Sequence, residues 1–354
     1  MFRGNPARTG EQPGPAVGTQ PEVAWEEPVG EVGSAAAVSD GVAYVSTLDG
    51  TVHALAGATG ETLWQVSIGD VTSSSPAVVS DVVYVGSGDG SLYALDAATG
   101  DPRWRFATGG EVFSSPAVAG GAVYVGSWDG YLYALDAATG TLQWRFATGA
   151  EVYSSPAVAG ETVFIGAVDG GFSAVAIDTG EARWQVELGD GLIASPAVVG
   201  DLVYVGDGQG TLHALDVATG DRRWQFHTAD RIASSAAVVD ETVFVGSDDG
   251  SLYALDGETG DQRWKFETGA AVYSSPAVVG GIVVVGSLSG AVYAIEADTG
   301  EERWRFKTDG AVYASAVVVD GTVYVGSLDG TFYALQGAAE ALAPADHRHP
   351  LAQA

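Results

Sequence analysis

The chain has 354 residues, 46% of them hydrophobic, and 50 glycines, which is ample apolar matter for a core and a density of turns that a helical protein does not tolerate. Its formal charge of −30, from 45 acidic against 15 basic residues, repels nucleic-acid phosphates and anionic membrane surfaces and argues against both as partners. With no cysteine there is no disulfide, thiolate metal site or cysteine nucleophile, and no run of about 18 apolar residues marks a helix inserted in a membrane.

Lys265 and Lys307 are the only lysines. An acidic, lysine-poor surface suits a salt-rich milieu, and a GC-rich genome favours arginine over lysine as well, so composition leaves both explanations open. Met1-Phe2-Arg3-Gly4 lacks the apolar stretch of a signal peptide. Either a cytosolic protein or a trimmed export product is compatible with that start.

Residues 1–20 carry Gly4, Pro6, Gly10, Pro13, Gly14, Pro15 and Gly18. Such a segment resists helix and sheet alike, so 1–21 is expected to be an extended arm whose order depends on docking. From Glu22 to Glu27 the chain reads Glu-Val-Ala-Trp-Glu-Glu, which matches a run that returns along the whole chain. Thr-Gly recurs at 59–60, 99–100, 139–140, 179–180, 219–220, 259–260 and 299–300, followed by Trp64, Trp104, Trp144, Trp184, Trp224, Trp264 and Trp304. A fixed 40-residue period means equal supersecondary units arranged in a stack or a ring.

One unit, 112 to 147, divides into four β-patterned runs: Val112 to Val118, Ala122 to Gly126, Tyr131 to Leu135 and Gln143 to Phe146. Asp129-Gly130 separates the second from the third and is expected to form a tight hairpin, because both residue types accept positive φ. Gln209-Gly210 and Ser289-Gly290 keep only the glycine of this pair. Four antiparallel strands joined by hairpins make one blade of a propeller. The first, second and third runs occur eight times, but the last unit stops after Thr331-Phe332-Tyr333-Ala334-Leu335 without a tryptophan strand. The edge thus left open would invite aggregation, and the surplus run 23–27 is the strand that can cover it. The expected fold is all-β: an eight-bladed β-propeller over 22–337 whose last blade is closed by the N-terminal strand. An alanine-rich tail, 338–354, follows it.

The pattern Ala94-x-Asp96-x-x-Thr99-Gly100-x-x-x-Trp104 resembles the tryptophan-docking motif of the pyrroloquinoline-quinone (PQQ) repeat, found in quinoprotein alcohol dehydrogenases and in the outer-membrane assembly lipoprotein BamB. The opening Met1 to Gly10 is similar to the lead-in of many such proteins, and the resemblance runs through residues 1–337. It implies that Trp25 and the seven later tryptophans form an inter-blade girdle. It also implies an extracytoplasmic setting, at the cell surface or in the periplasm. Ala56 and Ala176 stand in for the motif aspartate, and Glu296 and Gln336 substitute for it, so that side chain is not required at every turn.

The repeated serines of the Ser114-Ser115-Pro116-Ala117-Val118 type have no histidine at matched spacing and read as structural, as do the five histidines. The Asp-Gly turns lack the alternating ligands of a calcium loop. No metal site and no catalytic residue is expected. Residues that break the repeat are the informative ones. The loop from fourth to first strand lies on the same face as the Asp-Gly hairpin, and one position in that loop reads Gly33, Ser73, Phe113, Tyr153, Ile193, Ala233, Tyr273 and Tyr313. Two residues earlier stand Glu31, Val71, Glu111, Glu151, Gly191, Arg231, Ala271 and Ala311, and Trp128 rises from a hairpin. Repeat proteins keep the framework and vary one face for binding. Phe113, Trp128, Tyr153, Tyr273, Tyr313, Arg231, Glu111 and Glu151 therefore form the candidate binding face, unless the aromatics merely plug the funnel.

Three functions fit. The first is a non-catalytic scaffold, monomeric, that takes a protein segment or extended ligand at this face. The second, implied by the resemblance, is a quinone-dependent oxidoreductase. Those enzymes carry insertions with calcium ligands and a catalytic aspartate, and many have adjacent cysteines, none of which this chain shows. PQQ, a tricarboxylate, suits poorly a face carrying Glu31, Glu111, Glu151, Asp70, Asp190 and Asp230 against Arg231, so no cofactor is expected. The third is the ligand-sensing ectodomain of a kinase or surface protein.

Overall fold

The computed structural model describes residues 5–15 and 18–338; the expected tail lies outside these apart from its first residue. Among the described residues thirty-two strands form eight four-stranded antiparallel sheets, and seven of them take four consecutive strands in order. The eighth joins β1 (Thr19–Pro28) to β32 (Thr331–Ala338), β31 (Thr322–Gly326) and β30 (Val317–Val319). The first strand of the chain thus closes the last blade. Its ladder runs from Thr19 opposite Ala338 to Pro28 opposite Thr331, longer at both ends than the 23–27 run. Among the described residues no helix is long and apolar enough to cross a membrane.

In the blade of β10 (Ala117–Ala119), β11 (Ala122–Ser127), β12 (Tyr131–Asp136) and β13 (Leu142–Ala147), the inner strand is shorter than its apolar run predicts. Residues 112–116 are irregular because their polar groups pair around the ring and not along a ladder. Two middle strands are buried on both faces, so the core lies between blades: Val123, Val125 and Leu135 of this blade pack on Ala77, Tyr84 and Leu92 of the preceding one.

Each docking tryptophan ties its blade to the next. The Trp264 indole N–H donates to the Ala297 carbonyl at 2.8 Å, and its ring lies against Gly300. Gly300 has φ of 74°, and a methyl group there would sit 2.7 Å from the indole, so the glycine meets a backbone and a space requirement at once. Trp25 makes the same contact with Gly57 and Gly60, which carries the girdle across the closure. Trp304 faces the truncated last repeat, and its N–H has no acceptor among the described residues.

The hairpin expectation needs one correction. Gly130 has φ of 83° whereas Asp129 does not adopt a left-handed conformation. The aspartate acts through its carboxylate: Oδ1 accepts the Tyr131 N–H at 3.2 Å, and Oδ2 accepts the Tyr133 hydroxyl at 2.6 Å and the Gly109 N–H at 2.7 Å. It staples hairpin to loop. Where Gln209 replaces it, buried Asp207 takes over, accepting the Gln209 and Thr211 N–H groups and pairing with His213 Nε2 at 2.8 Å.

Candidate functional site

The loops between fourth and first strands meet the Asp-Gly hairpins at one end of the ring, as the Trp128 N–H to Glu111 carbonyl bond of 2.9 Å shows. They enclose a funnel of roughly 470 Å³. Phe113, Tyr153, Tyr273, Tyr313 and Arg231 all line it. Trp128 stands at the rim, 39% exposed, while Glu111 and Glu151 lie on the same loops but outside the lining.

Two aromatic walls result. On one side Phe113 meets Trp128 edge-on with centroids 5.1 Å apart and Tyr153 at 5.9 Å. The Tyr153 hydroxyl reaches Ser73 Oγ at 3.2 Å, two blades back. On the other side Tyr273 and Tyr313 stack at 4.5 Å, and the Arg231 guanidinium lies 5.2 Å from the Tyr273 centroid and bonds its hydroxyl. Burial, followed by the neighbouring Tyr273, pushes the Tyr313 phenol up to about 12, so it stays a neutral donor at physiological pH. Burial alone would lower the Arg231 pKa, yet Asp248 at 2.8 Å outweighs it and the net shift is upward.

Sequence reasoning missed the floor. The Ser75 backbone N–H donates to Ser115 Oγ at 2.9 Å, Ser115 N–H to Ser155 Oγ at 2.9 Å, and Ser155 N–H to Ser195 Oγ at 3.1 Å. The chain of links continues through Ser235, Ser275 and Ser315, and it begins at the Ala35 N–H on Ser75. These seven hydroxyls form a belt that lines the funnel base. The serines are structural, as the repeat implied, with a role in joining blades that spacing alone does not disclose.

Below the belt the described part of the N-terminal arm runs along the inner strands of five blades. Val158, Val198, Val238 and Val278 donate their N–H groups to the carbonyls of Pro6, Ala7, Thr9 and Gly10 at 2.7–3.0 Å, and the Val318 N–H bonds Gln12 Oε1. Inner strands have a free edge toward the axis, and the arm satisfies it in five of the blades. Arg8, 1% exposed, reaches the Pro156 carbonyl with Nε at 2.6 Å and the Ser115 carbonyl with Nη2 at 2.8 Å. Polar side chains among the glycines and prolines of the arm were the one available signal.

The family model of the β-propeller of beta-alanine-activating enzyme matches residues 160–346, more than half of the chain, and that of outer membrane protein assembly factor BamB matches 48–191. The chain belongs to the PQQ-like β-propeller family. Among solved structures, BamB from Moraxella catarrhalis is 23% identical with a TM-score of 0.77, covering 90% of this chain and 100% of that one. Quinohemoprotein alcohol dehydrogenase from Comamonas testosteroni is 18% identical with a TM-score of 0.82, over 96% of this chain and 80% of that one. The computationally designed Ika8 protein is 21% identical with a TM-score of 0.79, over 90% and 100%. No match is found among curated proteins. Identities this low show a shared fold, and the propellers that share it include a BamB and dehydrogenases.

The lining of the funnel is aromatic, apolar and hydroxyl-bearing, and it includes one charged side chain. The one cation of its lining, Arg231, is already held by Asp248. Among the described residues no group of three or more His, Cys, Asp or Glu is placed to hold a metal ion.

Proposed function

We propose that this propeller is a non-catalytic scaffold whose aromatic funnel takes a protein segment or an extended ligand, without a bound cofactor. The observation that supports the reading is the pair of facing aromatic walls, Phe113–Trp128–Tyr153 and Arg231–Tyr273–Tyr313, in an otherwise regular ring. Tyrosine, tryptophan and arginine are the residue types that dominate binding hot spots. A monomer acting outside the cytoplasm, at the cell surface or in the periplasm, belongs to the same proposal and rests on the family. Cell fractionation with an antibody to the chain tests the setting, and recovery in the cytosol would refute it.

The test of the funnel is the double variant Trp128→Ala/Tyr153→Ala. Binding to a partner recovered from the native source should weaken by about 2 kcal/mol while the fold persists. If stability falls instead and affinity per folded molecule is unchanged, the aromatics are plugs and the site is wrong.

A further inference from the structure

The serine belt carries an unspent chemical capacity. Each of its seven hydroxyls accepts one backbone N–H, and among the described residues none of them donates its own proton to a protein acceptor. A serine hydroxyl has a donor as well as acceptor lone pairs, so the belt offers a circle of O–H donors to whatever occupies the axis. All but Ser315 are more than nine-tenths buried, and all seven line the funnel floor. Two of the nearby carbonyls, those of Ser115 and Pro156, are taken by Arg8. The same guanidinium places a positive charge directly under the belt.

At the mouth the chemistry reverses. Glu31, Asp70, Glu151, Asp190 and Asp230 are exposed on the fourth-to-first-strand loops that ring the mouth, Glu151 beside Tyr153 and the others on loops without an aromatic residue, against Arg231, which is paired with Asp248. The funnel is therefore polarised along its axis: acidic at the mouth, aromatic in its walls, and at the floor a donor circle over a cation. A free anion is repelled at the mouth, and a purely cationic chain finds no acceptor at the floor.

We propose that the funnel binds the C-terminal end of an extended basic polypeptide, with the terminal carboxylate on the serine hydroxyls and upstream lysine or arginine side chains at the acidic mouth. This rests on the scaffold reading and gives it a direction and a partner class. Aromatic walls accept an aliphatic or aromatic last side chain without sequence preference. A carboxylate matches the floor because hydrogen bonds to an ionised acceptor are the strong ones, and two oxygens can share several hydroxyls of the circle.

Calorimetric titration of the full chain with a decapeptide of alternating glycine and lysine ending in leucine tests this, as the free acid and as the C-terminal amide. The acid should bind more tightly than the amide by about tenfold or more, the loss expected for a charge-assisted hydrogen bond. Replacing the lysines with glutamates should abolish binding. Ser195→Ala should narrow the gap between acid and amide while leaving the amide unchanged, and Ala35 at the equivalent place of the first blade shows that the belt tolerates a missing hydroxyl. Equal affinity of acid and amide, no binding of the acid at millimolar concentration, or sodium acetate competing as well as the peptide acid each overturns the proposal. None of these outcomes touches the scaffold reading, which stands or falls on the Trp128 and Tyr153 variant with its native partner. Should Ser195→Ala fail to fold, the acid and amide on the parent protein still decide.

Discussion

At the outer edge of the ring the repeats put the same residue in the same place: seven tryptophans, Trp25 to Trp264, each lie on a left-handed glycine of the next blade and donate to a carbonyl there. At the mouth the eight equivalent positions hold glycine, serine, phenylalanine, tyrosine, isoleucine and alanine instead. Both regions are built from one 40-residue unit. The difference teaches that closure of a ring constrains only what touches a neighbouring blade, and leaves the loop tips free to differ one from another. The tryptophans that repeat hold the blades together, and the loop residues that differ give the mouth its particular character.

Breaking closure itself should have the largest effect. A chain lacking residues 1–28 loses β1 and exposes the third strand of the last blade, so it should be aggregated or unfolded, as a sedimentation and circular-dichroism assay would reveal. A soluble fragment of parental stability would contradict the role of the strand. Next comes a single girdle position: Trp264→Ala empties a buried inter-blade site and should cost about 3–5 kcal/mol in urea denaturation. Gly300→Ala tests the same junction from the other side, and forcing alanine into positive φ against the indole should cost about 1–3 kcal/mol. An unchanged midpoint would show that the contact is loose.

Acid gives a gentler probe. Arg263 beside Asp256, with the Thr259 N–H, lowers that carboxyl to about 2, and Arg103, Thr139 and Arg223 lower Asp96, Asp136 and Asp216 in the equivalent turns. A depressed folded pKa stabilises above the unfolded value of about 3.9 and loses that contribution as pH falls through the folded one. Urea midpoints should therefore hold from pH 7 to about 4 and decline between about 4 and 2, modestly because these turns are exposed. Aspartate-to-asparagine changes at 96, 136, 216 and 256 should flatten that decline. The smallest stability effect belongs to the mouth: Trp128→Ala alone should shift stability by less than about 1 kcal/mol. A loss on the scale of Trp264→Ala would erase the distinction between edge and mouth.

Most of the architecture was legible because it repeats. The period, the Thr-Gly turns and the orphan Trp25 strand specify blades, girdle and closure, each through a residue type with a definite steric or hydrogen-bonding need. Phe113, Tyr153, Tyr273, Tyr313 and Arg231 could be placed on one face because strand order alone sends their loops to one end. The Asp129 staple was misread, since a hairpin aspartate that binds through its carboxylate looks in sequence like one chosen for its backbone. The arm was illegible for a different reason. Its backbone carbonyls pair with N–H groups of four blades, with the Gln12 side chain serving a fifth, and backbone acceptors carry no side-chain signature. The belt, for its part, joins residues 40 apart through N–H and hydroxyl, a link that any serine could make.

The seam between β1 and β32 also has a mechanical meaning. Thr19 and Ala338 lie opposite one another at one end of an antiparallel ladder. Tension applied through the segments that continue from these two residues would pull both strands apart from the same end, so the rungs would yield one after another instead of sharing the load. Unzipping of this kind needs far less force than shearing. A propeller tethered at both of these points would open at this blade first, with the other seven still rolled.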